Sequence, residues 1–88
     1  MQREIRYNAI EQALDYLEKE VGSYKVISLG KDIGTGKRTA IKIKGEGYII
    51  YSTSLRDGHR YVIRAFLEFN QAQTATMFML RHPEVYRQ

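Results

Sequence analysis

Residues 38–69 read RTAIKIKGEGYIIYSTSLRDGHRYVIRAFLEF, and this stretch decides the fold. It holds three β-rich runs separated by two turn signals. Asp57-Gly58 between apolar runs marks a hairpin, because a type I′ turn needs positive φ at both central residues. Gly45-Glu46 is a Gly-X pair suited to a type II′ turn. Two-residue loops at both turns set the registers. Arg56 then pairs with His59, Tyr51 with Arg64 and Ile49 with Phe66. At the other turn Ile43 pairs with Tyr48 and Ile41 with Ile50. Directly opposite residues share a face. One face therefore collects Thr39, Ile41, Ile43, Tyr48, Ile50, Ser52, Tyr61, Ile63, Ala65, Leu67 and Phe69. It is almost uncharged and is the expected core. The other collects Arg38, Ala40, Lys42, Ile49, Tyr51, Thr53, Arg60, Val62, Arg64 and Phe66. A slip of one residue at either turn exchanges a strand's faces. A three-residue loop at Gly45-Glu46-Gly47 is the main alternative.

Outward from this core the chain reads as a single α+β domain over residues 1–88. Asn8-Ala9-Ile10-Glu11 matches a capping box, and Ile10, Ala13, Leu14, Leu17 and Val21 recur at helical spacing. A helix over Ala9–Val21 is expected, ended by Gly22 and packed on the uncharged sheet face. Gln2–Tyr7 alternates and reads either as an edge strand or as the leading end of this helix. Tyr24–Leu29 is a strand. Gly30–Lys37, GKDIGTGK, is expected to be a loop at a hairpin tip. It lacks the glycine spacing and the following helix of a phosphate loop. Asn70–His82 suits either helix or strand, with composition favouring a helix ended by Pro83. The expected architecture is an N-terminal helix, a four-stranded antiparallel meander and a C-terminal helix.

Composition narrows the chemistry. The 88 residues contain no cysteine, which removes disulfides and thiolate metal sites. No apolar run approaches a membrane span, and the N-terminus has no signal-peptide core, so a cytoplasmic setting is expected. His59 and His82 have no carboxylate cluster beside them in sequence, and neither a metal nor a cofactor is implied. Ser52 and Ser54 stand in a strand without triad partners. No catalytic residue is assigned, and an enzyme is the less favoured class.

Charge points to a partner. The net charge is +4. Residues 1–22 carry three Lys/Arg against five Asp/Glu, whereas residues 23–69 carry nine against four. The surplus sits on the sheet and favours an acidic partner. Arg38, Lys42, Arg60 and Arg64 with Tyr51 and Phe66 form a basic and aromatic face. On such surfaces bases stack on rings and cations follow phosphates. These six residues are the candidate site for RNA or single-stranded nucleic acid. The same Tyr/Arg-rich face also suits an acidic protein surface, as an adaptor or inhibitor would use. The oligomeric state stays open, a dimer included.

Two stretches carry a family resemblance. Gly58-His59-Arg60-Tyr61-Val62-Ile63-Arg64 and Phe78-Met79-Leu80-Arg81-His82-Pro83-Glu84-Val85-Tyr86-Arg87 resemble the closing strands and tail of RelE/ParE-type toxins. The RelE branch comprises ribosome-dependent mRNA interferases. By that resemblance Arg64, Arg81 and Tyr86 would contact phosphate and stack a base. It also requires a strand over Thr74–Leu80.

Overall fold

A computed structural model describes residues 2–31 and 37–87. The elements in chain order are β1 (Gln2–Ile5), α1 (Ile10–Glu20), β2 (Tyr24–Lys31), β3 (Lys37–Ile43), β4 (Gly47–Arg56), β5 (His59–Phe69) and α2 (Ala72–Arg81), followed by a 3₁₀ turn at Pro83–Val85. The sheet is antiparallel with order β1-β5-β4-β3-β2. It has five strands, one more than the meander read from sequence. The added strand is β1, which pairs Arg3 with Leu67 and Ile5 with Ala65. The segment 32–36 of the glycine-rich loop lies outside the described residues, and β2 and β3 reach to either side of it, with Lys31 opposite Lys37.

Helix α1 forms where periodicity places it, and α2 forms over the segment whose composition favours a helix. Helix α1 buries Ala13 and Leu17 and packs Ile10, Leu14 and Val21 around the core. The Asn8/Glu11 capping box does not form: Ala9 is the N-cap, and no side chain bonds the helix start. The amides of Val21 and Gly22 both donate to Leu17 O, at 2.8 and 3.0 Å, and close the helix. Helix α2 turns Ala75 and Phe78 inward, with Phe78 against Phe69. Ile5, Ile41, Ile43, Ile49, Ala65, Leu67 and Phe69 supply the sheet side of the core, and Val85 and Tyr86 of the tail close it. Burying a side chain the size of Leu17 contributes roughly 2 kcal/mol or more.

Turn geometry is where the registers change. At the Asp57-Gly58 turn φ is 53° and 78°, as a type I′ turn requires, and Arg56 pairs with His59. The pairing then shifts: Thr53 faces Val62, but Ser52 faces Arg64, so Ile63 is an extra, bulged residue. At the other turn Ile43 pairs with Gly47, leaving a three-residue loop of Lys44, Gly45 and Glu46. Asn70 holds this loop, its amide N donating to Glu46 O at 2.9 Å and its Nδ2 to Gly45 O at 3.1 Å.

Each shift is one residue, and each exchanges faces. Across β3 and the second half of β5 the two shifts cancel, so Ile41, Ile43, Ala65, Leu67 and Phe69 stay inside as expected. Strand β4 lies between the shifts and turns over completely. Ile49, Tyr51 and Thr53 point to the helices; Tyr48, Ile50 and Ser52 point away. The first part of β5 turns over as well. Val62 faces the helix side with its partner Thr53, and Tyr61 and Ile63 are exposed.

Candidate nucleic-acid interface

No helix among the described residues covers the sheet face opposite α1 and α2, and cross-strand pairing arranges it in three rows. The first runs Lys25, Lys42, Tyr48, Glu68, Gln2. The second runs Ile27, Ala40, Ile50, Phe66, Glu4. The third runs Arg38, Ser52, Arg64. Successive rows are two residues apart along each strand, about 7 Å. A stripe of apolar side chains thus lies between two rows that carry cations. Ile27, Ala40, Lys42, Tyr48 and Ile50 line a shallow groove in it.

Of the six residues singled out from sequence, Arg38, Lys42, Arg64 and Phe66 lie on this open face. Tyr51 and Arg60 do not. Tyr51 is half-buried against the core on the helix side. Arg60 is on that side too, donating from Nη1 to Thr53 Oγ1 at 3.1 Å. Their loss follows from the turnover of β4 and the start of β5. Tyr48 takes the place of Tyr51 as the aromatic residue of β4, and Lys25 joins from β2. A two-residue loop would put Tyr48 in the core; only the true loop length brings it out.

Electrostatics divide the face. The cations Lys25, Arg38 and Lys42 lie on β2 and β3 and make no ion pair among the described residues. The carboxylates lie at the other end. Arg64 donates from Nη2 to Glu4 at 3.1 Å and Arg87 from Nη1 to Glu4 at 3.1 Å. The hydrogen bond from Arg64, aided by its charge and by Arg87, holds the Glu4 carboxyl below its usual range against the opposing effect of desolvation. The same bond raises the Arg64 guanidinium, which also lies over the Phe66 ring at 5.0 Å. Tyr48 donates to Glu68, and that bond raises the phenol above its ordinary value. Both rings are therefore held in place: Tyr48 by a carboxylate, Phe66 by a guanidinium. Arg64 offers a second flat surface on which a base can stack.

Residues named in the toxin resemblance are spread apart. Thr74–Leu80 lies within α2. Arg81 donates to Glu20 at 2.9 Å across the ends of the two helices. Tyr86 is buried on the helix side, 5.8 Å from the guanidinium of Arg3, and burial pushes its phenol up to about 12. Arg64 is on the opposite face. His82 stacks on Tyr16 at 3.8 Å and bonds Glu20, so it fastens α2 to α1, while His59 stays exposed beside its turn. Among the described residues no group of three or more His, Asp or Glu is arranged to hold a metal ion. No helix among them is long and apolar enough to cross a membrane.

No family model matches the chain, and neither the curated proteins nor the solved structures give a match. The class is therefore set by architecture alone: an α+β chain whose antiparallel sheet is helix-covered on one face and open, basic and aromatic on the other.

Proposed function

We propose that this chain is a cytoplasmic module that binds single-stranded nucleic acid, RNA foremost, on the open sheet face. One observation carries the reading: an apolar and aromatic row flanked by cations, on a face that no helix among the described residues covers. Tyr48, Phe66 and the Arg64 plane supply stacking surfaces. Lys25, Arg38 and Lys42 supply charge for phosphates at the β2–β3 end, away from Glu4 and Glu68. A strand laid across the face with phosphates over β2 and β3 and bases toward β4 and β5 satisfies both demands. Stacking tolerates any base, so sequence preference should be modest.

Fluorescence anisotropy with labelled oligouridylate and oligothymidylate of about ten nucleotides tests this directly. Three neutralised phosphates give a slope of log K against log salt of about −2 for a single strand. Tyr48→Ala costs about 1–3 kcal/mol of binding if a base stacks there. Thermal unfolding of the same variant shows whether the loss is one of binding or of folding. No binding of either oligonucleotide at low salt would reject the reading and leave a protein surface as the partner of this face.

A further inference from the structure

The two edges of the sheet are treated differently. Along β1 the chain's own C-terminal segment takes up the edge. Arg6 N donates to Val85 O at 2.9 Å and Arg87 N donates to Glu4 O at 3.2 Å. Between them Tyr86 forms an antiparallel bridge with Ile5. The edge at β2 has no such cover among the described residues. Its regular pairing with β3 runs from Tyr24 to Ser28 and shifts before Lys31. Over that span a row of outward N–H and C=O groups is open to another strand. Side chains beside the row are apolar on both faces. Val26 is 60% and Tyr24 42% exposed on the helix side, and Ile27 is 37% exposed on the open side.

Charge selects the occupant. Strands β2 and β3 carry Lys25, Lys31, Lys37, Arg38 and Lys42 and no carboxylate. Lys25 stands directly opposite Lys42, a like-charge pair that destabilises the sheet by itself. A second copy pairing edge to edge about Val26 would set Lys25 diagonal to its own symmetry mate and add to that repulsion. A nucleic-acid backbone is a poor match for another reason: its phosphate oxygens only accept, and the 2′-hydroxyls of RNA do not repeat in step with the alternating N–H and C=O groups of β2. An extended polypeptide with carboxylates meets both demands.

We propose that the β2 edge, Tyr24 to Ser28, docks an extended acidic segment of a partner protein, which adds to the sheet as a sixth strand. Backbone hydrogen bonds complete the ladder. A carboxylate beside Lys25 relieves its repulsion with Lys42, and apolar side chains on the helix side cover Tyr24 and Val26. The site is separate from the stacking rings of Tyr48 and Phe66 and shares Lys25 and Ile27 with the open face.

The test uses the whole chain, isotope-labelled, titrated with a capped peptide of alternating Glu and Val and with its Lys/Val counterpart. The Glu peptide should protect the amides of Tyr24–Ser28 from exchange and show cross-strand contacts to them, leaving the Tyr48 and Phe66 rings unshifted. The Lys peptide should not bind. Lys25→Glu, an exposed substitution that removes the Lys25/Lys42 clash, should weaken the Glu peptide by at least about tenfold and admit the Lys peptide. Three results would each overturn the proposal. They are equal affinity for both peptides, shifts spread over Arg38, Lys42 and Arg64 without contacts at β2, and protection of β2 that depends on protein concentration without any peptide. Oligonucleotide binding in a parallel sample reports on the open face independently.

Discussion

Replacing Gly47 with alanine probes the register on which the open face depends. Gly47 is buried, has φ of 156° and pairs with Ile43 on one side and Phe69 on the other. A Cβ there would stand 2.2 Å from Glu68 O and 2.9 Å from Phe69 Cα. Both are backbone atoms of β5, so no flexible side chain can yield. The strands must part by about 1 Å or more to restore ordinary contact. Backbone strain of this kind costs about 1–3 kcal/mol, and overpacking costs a similar amount. The two together give about 2–6 kcal/mol. For a domain of this size that lowers the melting temperature by roughly 10 °C or more. Gly45 is the internal control. Its φ is 73°, and a Cβ added there would meet nothing within 4 Å. Gly45→Ala should therefore cost only the left-handed penalty of about 1–2 kcal/mol. Urea unfolding of both variants, read by far-ultraviolet circular dichroism, gives the comparison. Equal costs would refute the close approach of β4 to β5 at Gly47 and with it the three-residue loop.

Three further outcomes follow from the same structure. Ile49→Ala should lose about 2–5 kcal/mol of unfolding free energy, because Ile49 is fully buried, whereas the same change at the half-buried Ile50 should lose clearly less. The opposite order would restore the two-residue loop. Glu4 has a folded-state pKa below its ordinary value of 4.5, so its contribution is present above about that pH and fades as pH falls through the depressed value. Glu4→Gln should flatten the acid limb of the stability profile, measured by unfolding from neutral pH down into the acid range. Tyr86 has a folded-state value of about 12 against 10.0, so the stability it confers is full below pH 10 and is lost as pH rises toward 12. Tyr86→Phe keeps the packing and should unfold later in alkali than the parent chain.

Much of the architecture is local chemistry and is legible in the sequence. Asp57-Gly58 forms its type I′ turn because only residues tolerant of positive φ meet there. Helix α1 follows from the spacing of Ala13 and Leu17, and α2 from residues that favour helices and precede Pro83. Strand β1 is ambiguous in sequence because four residues carry too little pattern. It is fixed as a strand by Leu67 and Ala65 on one side and by Tyr86 on the other, all distant along the chain. Four of the six candidate side chains share the open face because β3 and the second half of β5 keep their expected sides.

The central ambiguity lies in Tyr48-Ile49-Ile50-Tyr51. This tetrapeptide reads the same in both directions, so alternation presents one tyrosine and one isoleucine to each face in either register. Sequence by itself determined that β4 exists, that it joins two hairpins, and that the sheet carries the basic surplus. It could not determine which isoleucine is buried, because burying either one from this pattern is nearly equal in hydrophobic gain. Tertiary contacts decided it. The Ile63 bulge shifts β5 by one, the Asn70 bonds to Gly45 and Glu46 hold the longer loop, and the Glu68–Phe69 backbone packs where only a glycine fits. The last two join residues far apart along the chain, beyond the reach of any local pattern, and through them Tyr48 rather than Tyr51 comes to the open face.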